Sequence, residues 1–499
     1  MPMNVVLIST YELGHQPFGL ASPAAWLRAQ GEEVTCLDLS REGFGEDAVR
    51  DAGLVAFYVP MHTATRLAAK LVERVQKINP QAHLCFYGLY APVNEAYLRG
   101  LGVQSVIGGE FEGALARLAV SLREKPRNEE SPEAKETVSS FHGAIDRLNF
   151  LVPDRSGLPP LRKYAHVVMP GGGSRVAGYT EASRGCKHLC RHCPIVPVYN
   201  GVFRIVGREV VLEDIRRQVA AGAEHITFGD PDFFNGPAHA RAIVEEFHKE
   251  WPGLSYDVTI KIEHLLQHSE LLPTLRDTGC LFVTSAVESV DDEMLARLDK
   301  GHTRGDFLEV IERFRELRLT LQPTFVPFTP WTTLAGYRDL LAVIAENDMV
   351  EHVAPIQLGI RLLIPRGSRL LELEEMRRQV GMFDASALFY PWKHADSRLD
   401  ALAERVQDLA NEGDTLRQTR SEVFARIWQT AAEAGGEGTE AGWQPATAGA
   451  RAAIAHFSEP WYCCAEPTRE QFVSIGGLAV APQAGAMPAA QPATQTDFV

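Results

Sequence analysis

Short apolar runs alternate with amphipathic segments along the first 120 residues. The helix-like segments are PAAWLRAQG and TRLAAKLVERVQKI, and the strand-like runs are NVVLIS, EEVTCLDL, LVAFYVP, HLCFYG and SVIGG. Such alternation predicts a parallel, doubly wound α/β sheet over residues 1–122. In sheets of this kind, ligands lie beyond the carboxyl ends of the strands.

A polar stretch and a proline-rich stretch follow this first domain. The first, REKPRNEESPEAKET, has the composition of a linker, and the second, LVPDRSGLPPLRKY, has too many prolines for a regular element. We therefore predict a linker and an extended strap over residues 123–177.

A second βα series occupies residues 178–395. Repeated βα units predict a partial or full barrel whose functional loops follow the strand C-termini. We expect a small helical region over residues 396–475, a flexible break at GGEGTEAG, and a disordered tail rich in Ala, Pro and Gln over residues 476–499. The strand candidates of the barrel are HITFGD, YDVTIKI, LFVTSAV, LTLQPTFVP and HVAPIQLGIRLLI.

Composition restricts the class of protein. Of the 499 residues 45% are apolar and 23% charged, and no apolar run reaches the roughly 18 residues of a membrane helix. The start, MPMNVVLISTYELG, lacks the basic region of a signal peptide, so we predict a cytoplasmic protein without a membrane partner. The formal net charge of −15 disfavours nonspecific nucleic-acid binding.

Three of the eight cysteines stand singly in apolar runs and five fall into two tight groups. Spread over a long chain in this way, they do not indicate a disulfide framework. We expect the three single cysteines to be small buried hydrophobic residues: Cys36, Cys85 and Cys280.

The first group lies in EASRGCKHLCRHCPIVPVY, with the spacing Cys-x3-Cys-x2-Cys at Cys186, Cys190 and Cys193. Three thiolates this close in one loop can bind three irons of a [4Fe–4S] cluster. A structural zinc site normally needs a fourth ligand, which His188 or His192 would supply, so a Cys3His zinc knot is the main alternative. No second ligand pair follows at finger-like spacing, which favours the cluster.

This spacing, after the first strand of a βα barrel, resembles the radical S-adenosylmethionine (SAM) superfamily. The resemblance implies that the three cysteines hold the cluster and that its fourth iron binds the amino and carboxylate groups of SAM. One electron from the reduced cluster then breaks a carbon–sulfur bond of SAM. The resemblance also implies an electron donor, such as a ferredoxin or flavodoxin, and a small-molecule substrate.

The same resemblance suggests residues near SAM. In ITFGDPDFF, at the second-strand position, Gly229, Asp230 and Asp232 are candidates to lie near the SAM amino group. In SAVESVDDEMLARLDKGHT, Glu288 and Ser289 would approach the ribose or the carboxylate. The alternative for Glu288 is an ordinary surface carboxylate, but its place at a strand end favours a function.

Arg361, in IQLGIRLLIPRGS, is a candidate to line the cavity of the barrel. A structural salt bridge is the alternative for this side chain.

The first domain resembles the cobalamin-binding domain that precedes the barrel in a large radical SAM subgroup, through YVPMHTATRLA and VIGGEFEGAL. The Asp-x-His-x-x-Gly signature of a protein-ligated cobalamin is missing. ELGHQPFGL offers His15 and Gly19, but Leu13 stands at the Asp position. Two alternatives stay open: cobalamin bound without a protein ligand, or a retained fold that binds no cobalamin or binds the substrate.

The second cysteine group is Cys463 and Cys464, in HFSEPWYCCAEPTREQF. It resembles a group of radical SAM proteins defined by a Cys-Cys-Ala-Glu-Pro tail, in some of which selenocysteine replaces one cysteine. That exchange suits a redox or nucleophilic position. We hypothesise that the tail folds back so that one of these thiols reaches the SAM cavity as a thiol donor or substrate anchor. Two ordinary thiols in a folded tail are the alternative.

The leading interpretation is a radical SAM enzyme that acts on a small molecule by a rearrangement or a thiol-assisted reaction. Cobalamin-dependent methyl transfer is the second, and transfer of a SAM fragment to a thiol-bound metalloid or chalcogen is the third. The non-enzymatic alternatives are an iron–sulfur electron carrier, which would usually need four cysteines, and a zinc-stabilised binding module.

The hypothesis for the vicinal cysteines predicts that replacing both by serine abolishes SAM-dependent turnover of the native substrate, because a hydroxyl is a far weaker nucleophile and redox group than a thiolate. Product formation in the double variant measures this, and full turnover would contradict the hypothesis.

Overall fold

The N-terminal half of the chain begins with a five-stranded parallel sheet. The computed structural model describes residues 2–124, 147–436, 454–460 and 465–468. The strand order is β2-β1-β3-β4-β5, as expected for a doubly wound sheet. The strands are β1 (Asn4–Ser9), β2 (Glu33–Asp38), β3 (Leu54–Tyr58), β4 (His83–Tyr87) and β5 (Ser105–Ile107), and the helices are α1 (Phe18–Ala29), α2 (Glu46–Arg50), α3 (His62–Ala69), α4 (Val72–Ile78), α5 (Glu95–Gly100) and α6 (Phe111–Glu124).

The central strands of this sheet are buried on both faces. Val5 and Leu7 of β1 pack into the cluster that includes residues of α1 and α6, whereas Val6 and Ile8 pack into the cluster on the other face. A strand covered by helices on both sides has no polar face, which is why these strands are continuous apolar runs in the sequence.

The second sheet has seven strands in the order β13-β12-β11-β10-β7-β6-β14. Five of them are parallel and form the partial barrel: β7, β10, β11, β12 and β13. Strands β6 and β14 extend this sheet in antiparallel register. Two further strands, β8 and β9, pair only with each other. The bounds are β6 (His166–Val168), β7 (Ser174–Thr180), β8 (Ser183–Gly185), β9 (Phe203–Ile205), β10 (His225–Phe228), β11 (Ser255–Thr259), β12 (Cys280–Glu288), β13 (Leu321–Phe325) and β14 (His456–Phe457).

Helices follow most strands of the partial barrel, and two long helices complete the described C-terminal region. Within the described ranges, no helix is both long and apolar enough to cross a membrane. The helices are α7 (Val196–Tyr199), α8 (Arg208–Ala220), α9 (Pro237–Glu250), α10 (Ile262–Gln267), α11 (Leu272–Asp277), α12 (Asp292–Leu298), α13 (Arg304–Leu317), α14 (Leu334–Glu346), α15 (Glu374–Gln379), α16 (Ser397–Thr415) and α17 (Arg420–Ala434). Short 3-10 helices are Pro92–Asn94, Leu161–Lys163, Phe233–Asn235, Ser269–Leu271, Val350–His352, Pro355–Gly359 and Arg369–Glu372.

The C-terminal strand β14 bridges the two edges of the barrel sheet. It pairs with β6 at one edge, while the Gln322 side chain on β13, at the other edge, donates a hydrogen bond to the Ala455 carbonyl at 2.6 Å. Phe457 fills the space between, with its ring 6.0 Å from that of Phe282 and 5.2 Å from that of His15. This late segment of the chain therefore belongs to the wall of the barrel.

Two predictions about the barrel differ from the structure. The run HVAPIQLGIRLLI forms 3-10 helices and two isolated bridges, Arg361 with Phe328 and Leu362 with Ala465, rather than a strand. Pro355 lacks the amide hydrogen that a central strand needs. The sheet begins at His166 instead of residue 178, since β6 and most of β7 lie in the segment assigned to the strap. The predicted flexible break, apart from Gly435 and Gly436, and the tail predicted over residues 476–499 lie outside the described residues.

One buried guanidinium joins the two domains. Arg184 on β8 contacts Glu112 and Glu181 at 2.6 Å and Glu110 at 3.1 Å, and its side chain is 7% exposed. Burial raises the pKa of Glu110 to about 7, although Arg184 opposes that rise. The first domain thus contributes two carboxylates to a cation that directly precedes the cysteine loop.

We predict that Arg184→Met lowers the free energy of unfolding by about 3 to 5 kcal/mol, because it leaves buried carboxylates without their counter-charge. Arg208→Met is the matched control. Arg208 is half exposed and pairs with Glu209 and Glu246 at the surface, so its loss should cost less than about 1 kcal/mol. Urea denaturation followed by circular dichroism measures both, and equal small effects would show that the Arg184 cluster does not hold the domains together.

Candidate active site

The three motif cysteines lie in one loop, between β8 and the short helix α7. All three are free thiols; Cys190 is buried, and Cys186 and Cys193 are half-buried. The loop is fixed by its backbone, since the Arg191 amide donates to the Leu298 carbonyl at 2.9 Å. The structure therefore presents three thiols from one anchored loop, as the spacing predicts.

The start of this loop admits only glycine. Gly185 has a φ of +74°, and a Cβ at this position would lie 2.5 Å from the Val202 carbonyl oxygen. Burial raises the pKa of Cys186 to about 11, so this thiol keeps its proton at neutral pH until a metal ion displaces it. A thiol set of this kind fits an iron–sulfur cluster.

Asp230, one of the candidates after β10, forms two hydrogen bonds with the residues that lead into the cysteine loop. Its carboxylate accepts from the Ala182 amide at 2.9 Å and from the Ser183 hydroxyl at 2.6 Å. Burial raises its pKa to about 7. Gly229 leaves no room for a side chain, because a Cβ would lie 1.8 Å from the Tyr179 hydroxyl. A direct contact of either residue with SAM stays a prediction.

Asp232 is buried beneath the cysteine loop. One carboxylate oxygen accepts from the Phe234 amide at 3.0 Å, and the other lies 2.7 Å from Nδ1 of His264. The structure thus brings Asp232 together with a histidine of the next βα unit, a pairing that no local pattern of the sequence indicates.

Glu288 ends β12 with a φ of +68° and is 3% exposed, so it is not a surface carboxylate. It lies 3.0 Å from Nε2 of His192 and 3.4 Å from Nζ of Lys300. Burial by itself would raise its pKa, but the Lys300 charge and the His192 hydrogen bond outweigh burial and hold the pKa at about 2. Because His192 belongs to the cysteine loop, Glu288 ties that loop to the end of β12.

Ser289, by contrast, is engaged in a local turn. Its hydroxyl accepts from the Asp291 amide at 3.0 Å, immediately before α12. Its approach to SAM stays a prediction.

Arg361 is held in a structural salt bridge, the alternative that the sequence left open. It contacts Asp400 at 2.6 Å and Glu466 at 3.2 Å, and its guanidinium lies 4.0 Å from the centre of the Trp392 ring. Glu466 is the glutamate of the Cys-Cys-Ala-Glu-Pro tail, so Arg361 anchors that tail to the barrel.

Cys463 and Cys464 themselves lie outside the described residues. The chain on either side of them is fixed: Pro460 lines the barrel cavity, and Ala465 pairs with Leu362. The role of these cysteines stays a prediction.

A cavity of about 190 Å³ lies between the two domains. The strand ends of the first domain contribute Tyr58, Met61 and Gly109, and the barrel contributes Tyr179 and Gly185, which borders the cysteine loop. This is the carboxyl end of the doubly wound sheet, where such folds bind ligands. The cavity therefore joins the predicted ligand edge of the first domain to the cluster loop.

A second cavity, of about 1280 Å³, occupies the interior of the barrel. Leu13 and His15 line both cavities, so a single short loop separates them. Burial lowers the pKa of His15 to about 4, which keeps this ring neutral at physiological pH. The barrel strands contribute polar inward-facing residues to the lining: Thr227, Asp257, Thr259, Thr284, Gln322 and Thr324.

Two buried groups near this site, His302 and Lys261, were not predicted from the sequence. Both ring nitrogens of His302 are buried and have no hydrogen-bond partner in the described part of the chain, and burial lowers its pKa to about 3. Lys261, at the end of β11, is 8% exposed and contacts Glu263 at 3.3 Å. The sequence does contain an indication of His302. This histidine stands in LDKGHT, directly after Lys-Gly, and follows Glu288 within the same βα unit.

Comparison with known proteins agrees with this site. Residues 180–332, which carry the cysteine loop and the ends of β10, β11 and β12, match the profile of the Radical SAM superfamily. A hopanoid C-3 methylase from Methylococcus capsulatus is 24% identical over 326 residues, which are 63% of this chain and 62% of the methylase. The matched region thus spans less than two thirds of that relative.

Two solved structures are similar over both domains. The cobalamin-dependent SAM radical enzyme OxsB, with aqua-cobalamin and SAM bound, has a TM-score of 0.65 at 14% identity, covering 83% of this chain and 67% of OxsB. The radical SAM methyltransferase TsrM from Kitasatospora setae, with tryptophan and a SAM analogue bound, has a TM-score of 0.61 at 16% identity, covering 87% of this chain and 95% of TsrM. At these identities the likeness shows a shared fold.

Proposed function

We propose that this chain, a member of the radical SAM superfamily, is a cobalamin-dependent methyltransferase that acts on a small polar molecule. The observation that carries the proposal is the shared arrangement of both domains, with the ligand edge of the first domain facing the cysteine loop across one cavity. This supports methyl transfer over a rearrangement, because the hopanoid relative is a methylase and TsrM is a methyltransferase.

The residues that would hold the cluster are Cys186, Cys190 and Cys193. When bound, the cluster supplies one electron at the sulfonium of SAM. Around it, Lys261 and His302 are the buried groups suited to the SAM carboxylate or ribose hydroxyls, since one is a cation and the other has two unused ring nitrogens. Glu288 keeps the loop and the end of β12 in a fixed relation, which positions these groups.

Cobalamin fits the position of the interdomain cavity but exceeds its volume. A drug-sized ligand typically needs a pocket of roughly 300 to 1,000 Å³, and a corrin is larger than such a ligand. The cavity of about 190 Å³ would have to join the barrel cavity beside it. The wall between them is the loop that carries Leu13 and His15, so displacement of this one loop would create the space.

The barrel cavity supports a polar substrate. Asp257 accepts a hydrogen bond from the Thr227 hydroxyl at 2.7 Å, and the same oxygen lies 2.8 Å from Nε2 of His225. A carboxylate oriented in this way binds an amine, an amide or a hydroxyl of a substrate more readily than a hydrocarbon. The lining therefore favours a hydrogen-bonding small molecule.

The proposal predicts that SAM is converted to S-adenosylhomocysteine only when cobalamin is present. The reconstituted protein, reduced under anaerobic conditions, is incubated with SAM with and without cobalamin, and the nucleoside products are quantified by liquid chromatography. Formation of 5′-deoxyadenosine alone, at the same rate with and without cobalamin, would contradict methyl transfer. It would instead favour a radical rearrangement of the substrate.

A pair of variants locates the cobalamin site. Leu89→Trp, which fills the interdomain cavity, should lower the cobalamin retained after gel filtration by roughly tenfold, because a bulky ring occupies the space that the ligand needs. Met382→Trp is the control, since Met382 is 55% exposed and lines neither cavity. Equal retention in the two variants would place cobalamin elsewhere.

A further inference from the structure

Two histidines meet beside the cysteine loop at a place that the proposed reaction does not use. His188 lies within the loop, two residues after Cys186, and His264 lies in α10, after β11. Their Nε2 atoms are 3.1 Å apart. Asp232, after β10, completes the group, and ligand atoms of the three side chains lie within 4.8 Å of one another.

The distances within this group suit a single metal ion. Two ligands of a tetrahedral zinc ion, at bond lengths of 2.0 to 2.2 Å, lie roughly 3.4 Å apart. The Nε2 atom of His188 is 3.1 Å from that of His264 and 3.9 Å from Oδ2 of Asp232. These two separations lie on either side of the ideal edge, and one ligand atom from each of the three side chains lies within 4.8 Å of the others.

Unused polar atoms point to a missing ligand. Asp232 and His264 are both fully buried, at 0% exposure. Oδ2 of Asp232 and Nδ1 of His264 make no hydrogen bond among the described residues, although they are 2.7 Å apart, so their contact lacks hydrogen-bond geometry. Leaving a buried carboxylate oxygen unsatisfied is costly, and a cation that binds Oδ2 of Asp232 removes that cost.

The surrounding charges are compatible with a cation. Oε2 of Glu263 lies 3.5 Å from Nδ1 of His188 and can orient this ring, as carboxylates do for metal-bound histidines. Lys261 is the nearby opposing charge, and it is itself paired with Glu263 at 3.3 Å. His188 is partly exposed, at 14% of its side chain, which leaves a solvent-facing position for entry of the ion.

We propose that His188, Asp232 and His264 bind one divalent metal ion of the zinc or ferrous type, separate from the cluster cysteines. Two histidines and one carboxylate form a donor set that both ions use in proteins. The ion would join the cysteine loop to the loop that follows β10 and to helix α10. It takes Asp232 as a metal ligand in place of the SAM contact expected from the sequence, and it uses neither the thiols nor the interdomain cavity.

The test uses the reconstituted, iron-replete protein under anaerobic conditions. Zn²⁺ is added in twofold excess, the protein is desalted, and zinc and iron are counted per chain by elemental analysis. Wild-type protein should retain about one zinc per chain with unchanged iron. His264→Gln should retain at least roughly fivefold less zinc, because it removes a ligand.

His268→Gln is the matched control, since its ring stands 5.7 Å from that of His264 but is not part of the group. It should retain zinc like the wild type. If His264→Gln fails to hold iron, Asp232→Asn serves as the second variant and should show the same loss of zinc. X-ray absorption at the zinc edge should show nitrogen and oxygen neighbours without sulfur.

Three results would overturn the site: no zinc retained by the wild type, equal retention in the ligand variants and the control, or sulfur in the zinc shell. The last would place zinc at one of the two cysteine groups, in the loop or in the tail. Failure of this test leaves the cobalamin-dependent conversion of SAM untouched, because that reaction is read from nucleoside products.

Discussion

The contact of Arg184 with three carboxylates fixes the geometry on which the rest of the site depends. Its guanidinium forms ion pairs with Glu110 and Glu112 of the first domain and with Glu181, which follows β7. Arg184 directly precedes Gly185 and the cysteine loop, so one buried cation sets both the domain interface and the start of the loop. Removing its charge would leave the carboxylates to repel one another in a buried space.

The cysteine loop is then held from two more sides by buried carboxylates. Asp230 binds the chain that enters the loop, and Glu288 binds His192 within it. Each of these acids follows a parallel strand of the partial barrel, where carboxyl ends converge on one edge. The fold thus places its charged groups around the thiols, while the strands below supply the apolar and polar walls of the barrel cavity.

Much of this arrangement could be predicted from the sequence because it depends on local patterns. Continuous apolar runs indicate strands covered on both faces, and the spacing of three cysteines indicates a cluster loop. Contacts between distant residues leave no such pattern. His188 and His264 are 76 positions apart, and the salt bridge of Arg361 with Glu466 joins residues 105 positions apart. The prediction of a strand for the apolar run around Ile360 is wrong because Pro355 lacks a hydrogen-bond donor, which the hydrophobic pattern does not report.

The end of the described chain is part of the barrel. Strand β14 joins β6 to β13 through Gln322, and Arg361 binds the glutamate of the Cys-Cys-Ala-Glu-Pro motif. The glutamate therefore has a structural partner, which separates its role from any role of the neighbouring cysteines.

The central claim is that the cysteine loop holds a [4Fe–4S] cluster with one iron free to bind SAM. The most direct measurement is electron paramagnetic resonance of the reconstituted, dithionite-reduced protein with and without SAM, with Cys190→Ala as the reference. We expect a reduced-cluster signal that changes when SAM is added and is lost in the variant. A signal that SAM leaves unchanged, or a colourless protein without iron, would contradict the claim.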